Sequence, residues 1–568
     1  MDAHGNKFRR AWEWAGLAVA AVTLLAFRAH AFAVPLETDE CNYLYIAGRL
    51  LAGDRLYLDI WDHQPFGVFA LFAAVIALFG DAPLVFRWLA VAFSLASLFF
   101  VYAIVRRHAG RPAGVGAALL FAITCSDPGT AGEGGNREIF MNTLILAAWW
   151  ALTMPAPQNR PFDRPPGTAI LIAGLLLGLG STIKTVLAVH WAFLCAWLVW
   201  MIHRNTTAER IKAQRMTGDA PERRASTRPL AGAARAQCRG IALFAAGPLL
   251  IWTGACCWFA ATDRFDLFYD AVIRFNLGYS AHSDPWWHRF ARFFAPERHP
   301  FIFDSALPLW IAAIPALLWL GFLAARRKSF AAGHALALLI AGYFAVCLPG
   351  HFWPHYYHLM IPAMVVVVAV AAGTVPVETT RRNRTTALAL SMILAATLFT
   401  ENRAYLAQPP FGITVHRYNS RDFWGKAMGE KVGAVTEPDD SVFVYGNEAE
   451  IYYYSKRRCA SRYTMCTGLK SGYPGAAERR KLLLDDLRRD PPRVILVLFD
   501  IEPFPEWHAF LAEHYGMAVG WDCHDRHSAT CATSNPEHVI MLVYTRRAHP
   551  VKEIDWSWDR SEVGGWLP

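Results

Sequence analysis

Charge is scarce in this chain of 568 residues: Asp, Glu, Lys and Arg make up 18%, against about a quarter in ordinary soluble domains. Set beside 54% apolar residues, that deficit points away from a wholly soluble protein. Other features are missing too. The last third has no Gly-rich phosphate loop and no catalytic Ser or Cys motif, so nucleotide binding and hydrolase chemistry of those types have no carrier there. No internal repeat is visible, and the long apolar runs carry almost no charge. Both absences tell against a transporter or flippase, whose path needs ionisable groups in mid-membrane and repeated halves. No secretory signal peptide is recognised. Lys7, Arg9 and Arg10 precede an apolar run, 15–34, that is long enough to span and has no A-x-A site closing it, so it is expected to stay as a first helix.

What is present is a series of apolar runs near 12–34, 84–105, 112–126, 138–154, 168–183, 185–202, 241–261, 305–325, 330–348, 357–375 and 386–402. The expectation is a polytopic α-helical membrane protein with about eleven spans. A run at 65–80, bounded by Pro65 and Gly80, is short enough that an interfacial helix competes with a span. Charge decides between them. The net +9 resides in Arg106/Arg107/Arg111, Arg160/Arg164, the Arg-rich 203–239 stretch, Arg326/Arg327/Lys328 and Arg381/Arg382/Arg384. This is the distribution of cytoplasmic loops rather than of a nucleic-acid surface, and no nucleic-acid partner is expected. All these clusters fall on the N-terminal, inner side only if 65–80 does not span. Residues 35–83, 127–137, 262–304 and 349–356, and everything after about 403, then face outside.

Residues 1–402 are accordingly read as a transmembrane module whose first outer loop is 35–83. Residues 403–568 are read as an extracytoplasmic α/β domain. Strands are expected at Ser441–Tyr445, 493–499 and 539–544, and helices at Ala476–Arg489 and 505–515. Most cysteines sit in or beside spans, where packing is the ordinary role. In an oxidising compartment, the spacing of Cys459/Cys466 and Cys523/Cys531 suggests two short-loop disulfides.

The first outer loop gathers acidic groups directly after a span. Thr38 can cap a short helix with Asp39 and Glu40 in its first turn, and Asp59, Asp62 and His63 follow. Taken alone, Asp39 and Glu40 are better explained by simple helix capping than by chemistry. Carboxylates collected at a membrane surface, where desolvation makes them costly, suggest chemistry.

Here the sequence resembles a family. The span followed by Asp39-Glu40, the helix end Ala47-Gly-Arg-Leu-Leu-Ala-Gly-Asp54, Tyr57-Leu-Asp59, His63-Gln-Pro65 and Leu78-Phe-Gly-Asp81 with Phe86-Arg-Trp-Leu89 look like the GT-C glycosyltransferases. The nearest pattern is glycosyltransferase family 39, the protein O-mannosyltransferases and the lipid A aminoarabinose transferases. The likeness continues in order at Asn136-Arg-Glu-Ile-Phe-Met141, Thr182-Ile-Lys-Thr185, Gly350-His-Phe-Trp-Pro-His-Tyr-Tyr357 with Pro362, and Val442-Phe-Val-Tyr-Gly446.

The resemblance implies a GT-C-like fold and transfer of a sugar from a polyprenyl-phosphate donor to a hydroxyl of a lipid, glycan or protein acceptor, with inversion. It places the enzyme in a bacterial inner membrane, in contact with membrane lipid. Asp39 matches the family's acidic residue and would act as general base, with Glu40 beside it. Asp59, Asp62, His63, Arg137, Glu138, Lys184, His351, His355 and Tyr356 are the candidate substrate-binding residues. Phosphate charge calls for Lys184, Arg137, His351 or His355. Competing readings are a snorkelling Lys184 at a helix end, a local Arg137–Glu138 ion pair, and an aromatic interfacial belt around Trp353. His351 and His355 make a poor metal pair because Pro354 breaks the helix between them. No metal ligand is assigned, although a divalent metal is compatible with the family. A membrane receptor or assembly factor working through its soluble domain is a further alternative.

Overall fold

The computed structural model describes residues 3–153, 165–201, 227–281, 284–295, 300–327, 329–376, 378–401, 407, 421–498, 501–522, 539–551 and 556. Helices occupy every apolar run: α1 (Ala3–Arg28), α4 (Pro83–Ala109), α5 (Arg111–Thr124), α6 (Arg137–Ala151), α7 (Gly167–Ser181), α8 (Thr185–Met201), α9 (Thr227–Ala261), α13 (Pro300–Arg326), α14 (Phe330–Cys347), α15 (Ile361–Gly373) and α16 (Thr379–Glu401). Six of the described helical segments are long and apolar enough to cross a membrane; α5, α7 and α8 are shorter apolar helices. Between them lie α2 (Thr38–Leu51), α3 (Phe66–Phe79) and the small helices α10 (Phe265–Tyr269), α11 (Asn276–Ala281) and α12 (Trp286–Arg292). α15 is the hub of the bundle, with Ile361 to Val370 entirely buried, whereas α9 and α13 turn exposed leucines and isoleucines outward.

The run at 65–80, expected to be an interfacial helix, forms α3. Its 14 residues extend about 21 Å, the same length as α5. Its two ends also meet the same side of the bundle. Gly67 N–H donates to Thr182 O (2.7 Å) at the end of α7, and a Cβ on Gly67 would collide with Thr182. Beyond its other end, Asp81 O accepts from Tyr453 Oη (2.5 Å) in the C-terminal domain. α4 follows, carrying Arg87 beside Glu40 near its start and ending in Arg106, Arg107 and His108. Gly110, at φ 91°, turns the chain directly into α5 with Pro112 in the first turn.

The C-terminal part holds α17 (Arg421–Val435), β1 (Ser441–Tyr445), α18 (Glu450–Ser455), β2 (Arg458–Cys459), α19 (Ala476–Arg489), β3 (Val494–Leu498), α20 (Pro505–His514), β4 (Tyr515–Asp522) and β5 (Val539–Arg546). The sheet order is β2-β1-β3-β5-β4. β1 is parallel to β2 and β3, with Val444 opposite Leu496, and β5 is antiparallel to β3 and β4. Every residue of β1 and β3 is buried, as a strand covered on both faces requires. β2, β4, α17 and α18 were not foreseen. The helix expected at 505–515 stops at His514 because Tyr515 turns extended (φ −126°, ψ 151°) and opens β4.

Cys459 and Cys466 are not joined, contrary to the spacing argument. Each is a buried thiol aimed at its own carbonyl, Cys459 Sγ at Tyr463 O (3.7 Å) and Cys466 Sγ at Val444 O (3.5 Å). Cys523 and Cys531 lie outside the described residues.

The domain is seated on residues 35–83, between α1 and α4. Leu36 N–H donates to Tyr454 Oη (2.9 Å), Thr38 Oγ1 to Glu450 Oε2 (2.8 Å), Cys459 N–H to Tyr45 Oη (2.7 Å) and Trp61 N–H to Arg462 O (2.8 Å).

Candidate active site

Between the helix ends and this domain lies a cleft of about 860 Å³. Of the sequence-predicted residues, Asp39, Asp62, His63, Arg137, Lys184, His351, His355 and Tyr356 line it. Five separate stretches of chain meet there because α6, α8 and α15 all begin, and α7 and α14 end, at this level.

Asp39 sits in the first turn of α2, partly exposed into the cleft, with Arg137 Nη2 3.9 Å from its Oδ2. The N-cap of α2 is Glu37 rather than the expected Thr38, which instead reaches Glu450. Glu40, at N3, closes a capping box by accepting the Glu37 N–H (3.0 Å).

Three predicted residues do not line the cleft. Glu40 faces the opposite way, buried, and takes Arg87 Nη1 on both oxygens (2.7 and 2.9 Å) together with the Gly135 N–H. Of the roles open to Glu40, its contacts fit capping and tying α2 to α4. Asp59 is spent on Arg55, a neighbour on the exposed surface, through two side-chain bonds and a backbone bond. Glu138 stands fully buried behind Lys184 and serves as its counter-ion (2.7 Å).

The Lys184–Glu138 bond also removes the snorkelling alternative. The Lys184 side chain is buried and its ammonium lies 3.5 Å from the centre of the Tyr356 ring. Burial lowers its pKa to about 8, with Glu138 pulling the other way. Arg137 stacks over Tyr43 (5.3 Å) and leaves Nε and Nη1 buried without a hydrogen-bond partner among the described residues. Oε2 of Glu138 and Nε2 of His351 are unmatched in the same sense. Orphaned polar atoms of this kind are expensive unless a ligand or water meets them.

The remaining groups set the polarity of the walls. Asp62 accepts from Asn42 Nδ2 (2.7 Å) and the Gln64 N–H (2.8 Å), yet burial raises its pKa to about 6. His63 is pushed down to about 3 by burial and by the field of Arg137 and Lys184, so it is a neutral ring, with Gln64 Nε2 at 2.6 Å from its Nε2. His351 stacks on Tyr279 (centroids 4.0 Å apart), and burial lowers its pKa too. Trp353 on the same turn is half exposed and also lines the cleft. Among the described residues, no group of three or more His, Cys, Asp and Glu is placed to hold a metal ion.

Sequence reasoning missed the opposite wall: Asn276 and Tyr279 from α11, and Asn447, Thr467, Lys470 and Tyr473 from the C-terminal domain. Their only common property is position, which no local motif encodes. Asn42 is likewise silent in the sequence, although it bridges Asp62 and Thr464 Oγ1 (2.7 Å) and so ties the loop to the domain.

Comparison with known proteins fits this geometry. Residues 63–216 match the family model described as dolichyl-phosphate-mannose-protein mannosyltransferase. No curated protein sequence matches the chain. Among solved structures, ArnT from Cupriavidus metallidurans bound to undecaprenyl phosphate is similar at 13% identity with TM-score 0.56, covering 94% of this chain and 98% of that one. The apo form of the same protein gives 13%, the same coverage and TM-score 0.54. The Archaeoglobus fulgidus oligosaccharyltransferase, in its apo form, is similar at 14% identity over 86% of this chain and 70% of that one, with TM-score 0.49. The chain thus has the GT-C-like fold of the ArnT structures, and residues 63–216 match the dolichyl-phosphate-mannose-protein mannosyltransferase family model.

Proposed function

We propose that the protein transfers a sugar from a polyprenyl-phosphate donor to a hydroxyl group of a lipid, glycan or protein at the outer face of a bacterial inner membrane, inverting the anomeric carbon. The observation that carries this reading is the pairing, in one cleft at the helix ends, of a partly exposed carboxylate with two buried cations, one of which has unmatched donors. Asp39 takes the proton of the acceptor hydroxyl as its oxygen bonds to the anomeric carbon, and the carbon–oxygen bond to phosphate breaks, with the electron pair leaving on polyprenyl phosphate. Arg137 supplies hydrogen-bond donors to that developing charge, and Lys184, released in part from Glu138, supplies a second cation. Buried, neutral His63 and the aromatic rings beside it keep water from competing for the sugar. The apolar flank at Val186, Val189, Leu277 and Leu348 suits the isoprenoid tail.

The ArnT structure bound to undecaprenyl phosphate supports the donor class. The test is transfer of label from polyprenyl-phosphate sugars to total membrane lipids, glycans and proteins by the purified chain. Release of polyprenyl phosphate matched by a labelled product is expected. No product from any donor and acceptor pair would overturn the reading.

A further inference from the structure

Thr464 is wholly buried in the C-terminal domain and does not line the cleft, yet two hydrogen bonds join it to a carboxylate that does. Thr464 Oγ1 donates to Asn42 Oδ1 (2.7 Å), and Asn42 Nδ2 donates to Asp62 Oδ2 (2.7 Å). Chemistry fixes the sense of this chain. An ionised carboxylate only accepts, so the amide must turn its NH2 toward Asp62, and its buried carbonyl oxygen then needs a donor. The Thr464 hydroxyl supplies it. That hydroxyl is firmly anchored in turn. Asp486 accepts from Ser461 Oγ (3.1 Å) and from Arg462 at its N–H (3.2 Å), Nε (2.9 Å) and Nη2 (3.0 Å). On the other side, Trp61 N–H donates to Arg462 O (2.8 Å), and Trp61 pairs with Tyr463 as a parallel bridge. The residues before Asp62 and before Thr464 are thus stitched together, with Asn42 closing the seam.

Asp62 itself has capacity to spare. A carboxylate offers about four acceptor sites, and Asn42 Nδ2 and the Gln64 N–H use two of them. Among the described residues it makes no ion pair with Lys or Arg; the nearest ring nitrogen, His63 Nδ1 at 3.6 Å from Oδ1, belongs to a neutral imidazole. The Gln64 bond to Oδ1 is a local turn that shapes the backbone. The Asn42 bond to Oδ2 has no such local purpose, because it comes from α2 and is backed by the distant domain.

Position gives the spare sites a use. Asn42 stands one helical turn beyond Asp39, their Cβ atoms about 5–6 Å apart, and Arg137 Nη2 lies 3.9 Å from Asp39 on the same wall. In the proposed transfer the anomeric carbon sits between that base and the phosphate-binding cations. The sugar ring joined to it then comes within reach of Asp62, whose free acceptor sites suit hydroxyl groups. We infer that Thr464 and Asn42 are positioning residues through which the C-terminal domain holds Asp62 against a hydroxyl of the donor sugar. The inference rests on the proposed transfer and gives the domain a part in recognising the sugar.

The test compares two ligands that differ only in the sugar. Equilibrium binding by the full chain in detergent is measured for undecaprenyl phosphate and for undecaprenyl phosphate carrying glucose, mannose or galactose. Wild type is expected to hold at least one sugar-bearing form about tenfold more tightly than the bare phosphate. In Asp62→Asn the hydrogen-bonded chain can reverse its sense, with Asn42 Oδ1 accepting and Thr464 Oγ1 accepting from Asn42, so the fold is kept. The sugar preference should fall to about threefold or less while affinity for the bare phosphate is unchanged. Thr464→Val should lower the preference in the same direction, because Asn42 Oδ1 loses its donor. Thr464→Ser keeps the hydroxyl and should restore the wild-type ratio; Thr464→Ala replaces the Val variant if that does not fold. An unchanged preference in Asp62→Asn, or in the variants without the hydroxyl, overturns the inference. Equal losses for bare and sugar-bearing ligands, or a Thr464→Ser variant no better than Thr464→Val, also overturn it, since Thr464 is then structural only. So does a wild type that binds the bare and every sugar-bearing form alike. A folded wild type that binds none of these ligands, or prefers a sugar-bearing form yet transfers no sugar to any acceptor, overturns instead the activity on which the inference rests.

Discussion

Asp39 and Glu40 are neighbours in one helical turn, yet they belong to two buried charge clusters of opposite character. Both oxygens of Glu40 are occupied, by Arg87, by the Gly135 N–H and by the Glu37 N–H, although Arg87 Nε has no hydrogen-bond partner among the described residues. Nearby Arg28, almost wholly buried, spends its guanidinium on Ser126 Oγ and the carbonyls of Cys125, Gly132 and Glu133. On the Asp39 side, Arg137, Glu138 and His351 each keep a polar atom unmatched around an open cleft. Saturated buried charge locks the loops to the bundle, whereas unsaturated buried charge beside a cavity is held ready for a ligand. Burial alone does not tell the two apart; the cleft that adjoins the unmatched atoms of Arg137 and His351 does.

The sharpest way to break this comparison is to substitute the two neighbours. Asp39→Asn keeps shape and most hydrogen bonding but removes the basic lone pair. Transfer should fall about 10²–10⁴-fold while polyprenyl phosphate binding and thermal unfolding are retained. Near-normal turnover would move the base to another cleft carboxylate, Asp62 or Glu37.

Glu40→Ala should show the reverse profile. It strands Arg87 in a buried site, and breaking such a pair costs about 3–5 kcal/mol. The unfolding midpoint should drop sharply, and the fraction that remains folded should still bind donor. A fully stable Glu40→Ala protein with lost transfer would return Glu40 to the catalytic group.

Lys184 gives a pH test of intermediate size. With its pKa lowered to about 8, its charge is present below that pH and is lost as pH rises through it. Affinity for polyprenyl phosphate, measured by equilibrium binding between pH 6 and 10, should therefore decline above about 8. Loss of one charge-assisted contact corresponds to about 10–100-fold. Lys184→Arg should remove that decline, and a flat wild-type profile would take Lys184 out of phosphate binding.

Asp59→Asn should do least. The Asp59–Arg55 pair is exposed, so stability should change by less than about 1 kcal/mol and transfer should be unaltered. A large loss of transfer would show that the exposed edge of the loop takes part after all.

The helical layout was legible because its cause is local. An apolar run long enough for lipid must satisfy its own backbone, so runs such as 84–105 and 330–348 could only be helices. Strands β1 and β3 were equally plain, since SVFVY and VILVL are short buried runs. The ordered motifs carried Arg137, Lys184, His351 and Tyr356 to one site without coordinates. Other outcomes were invisible for physical reasons. Glu40 and Asp39 have the same local surroundings, and which one meets Arg87 depends on how α4 crosses α2, 47 residues later. Cys459 and Cys466 have the spacing of a short-loop pair, but the sheet gives each thiol its own carbonyl.

By itself, then, the sequence determined a charge-poor membrane bundle with an α/β end and a set of polar residues at the helix ends. These follow from hydropathy and charge placement, which act over a few turns of chain. Only the tertiary structure decided which carboxylate is free, which cation still has donors to give, and that Thr467, Lys470 and Tyr473 complete the cleft from more than 400 residues beyond Asp39. Those outcomes depend on the order in which α2, α4, α6 and the C-terminal sheet pack, because a buried polar atom is satisfied or orphaned by its neighbours in space and not by those in sequence.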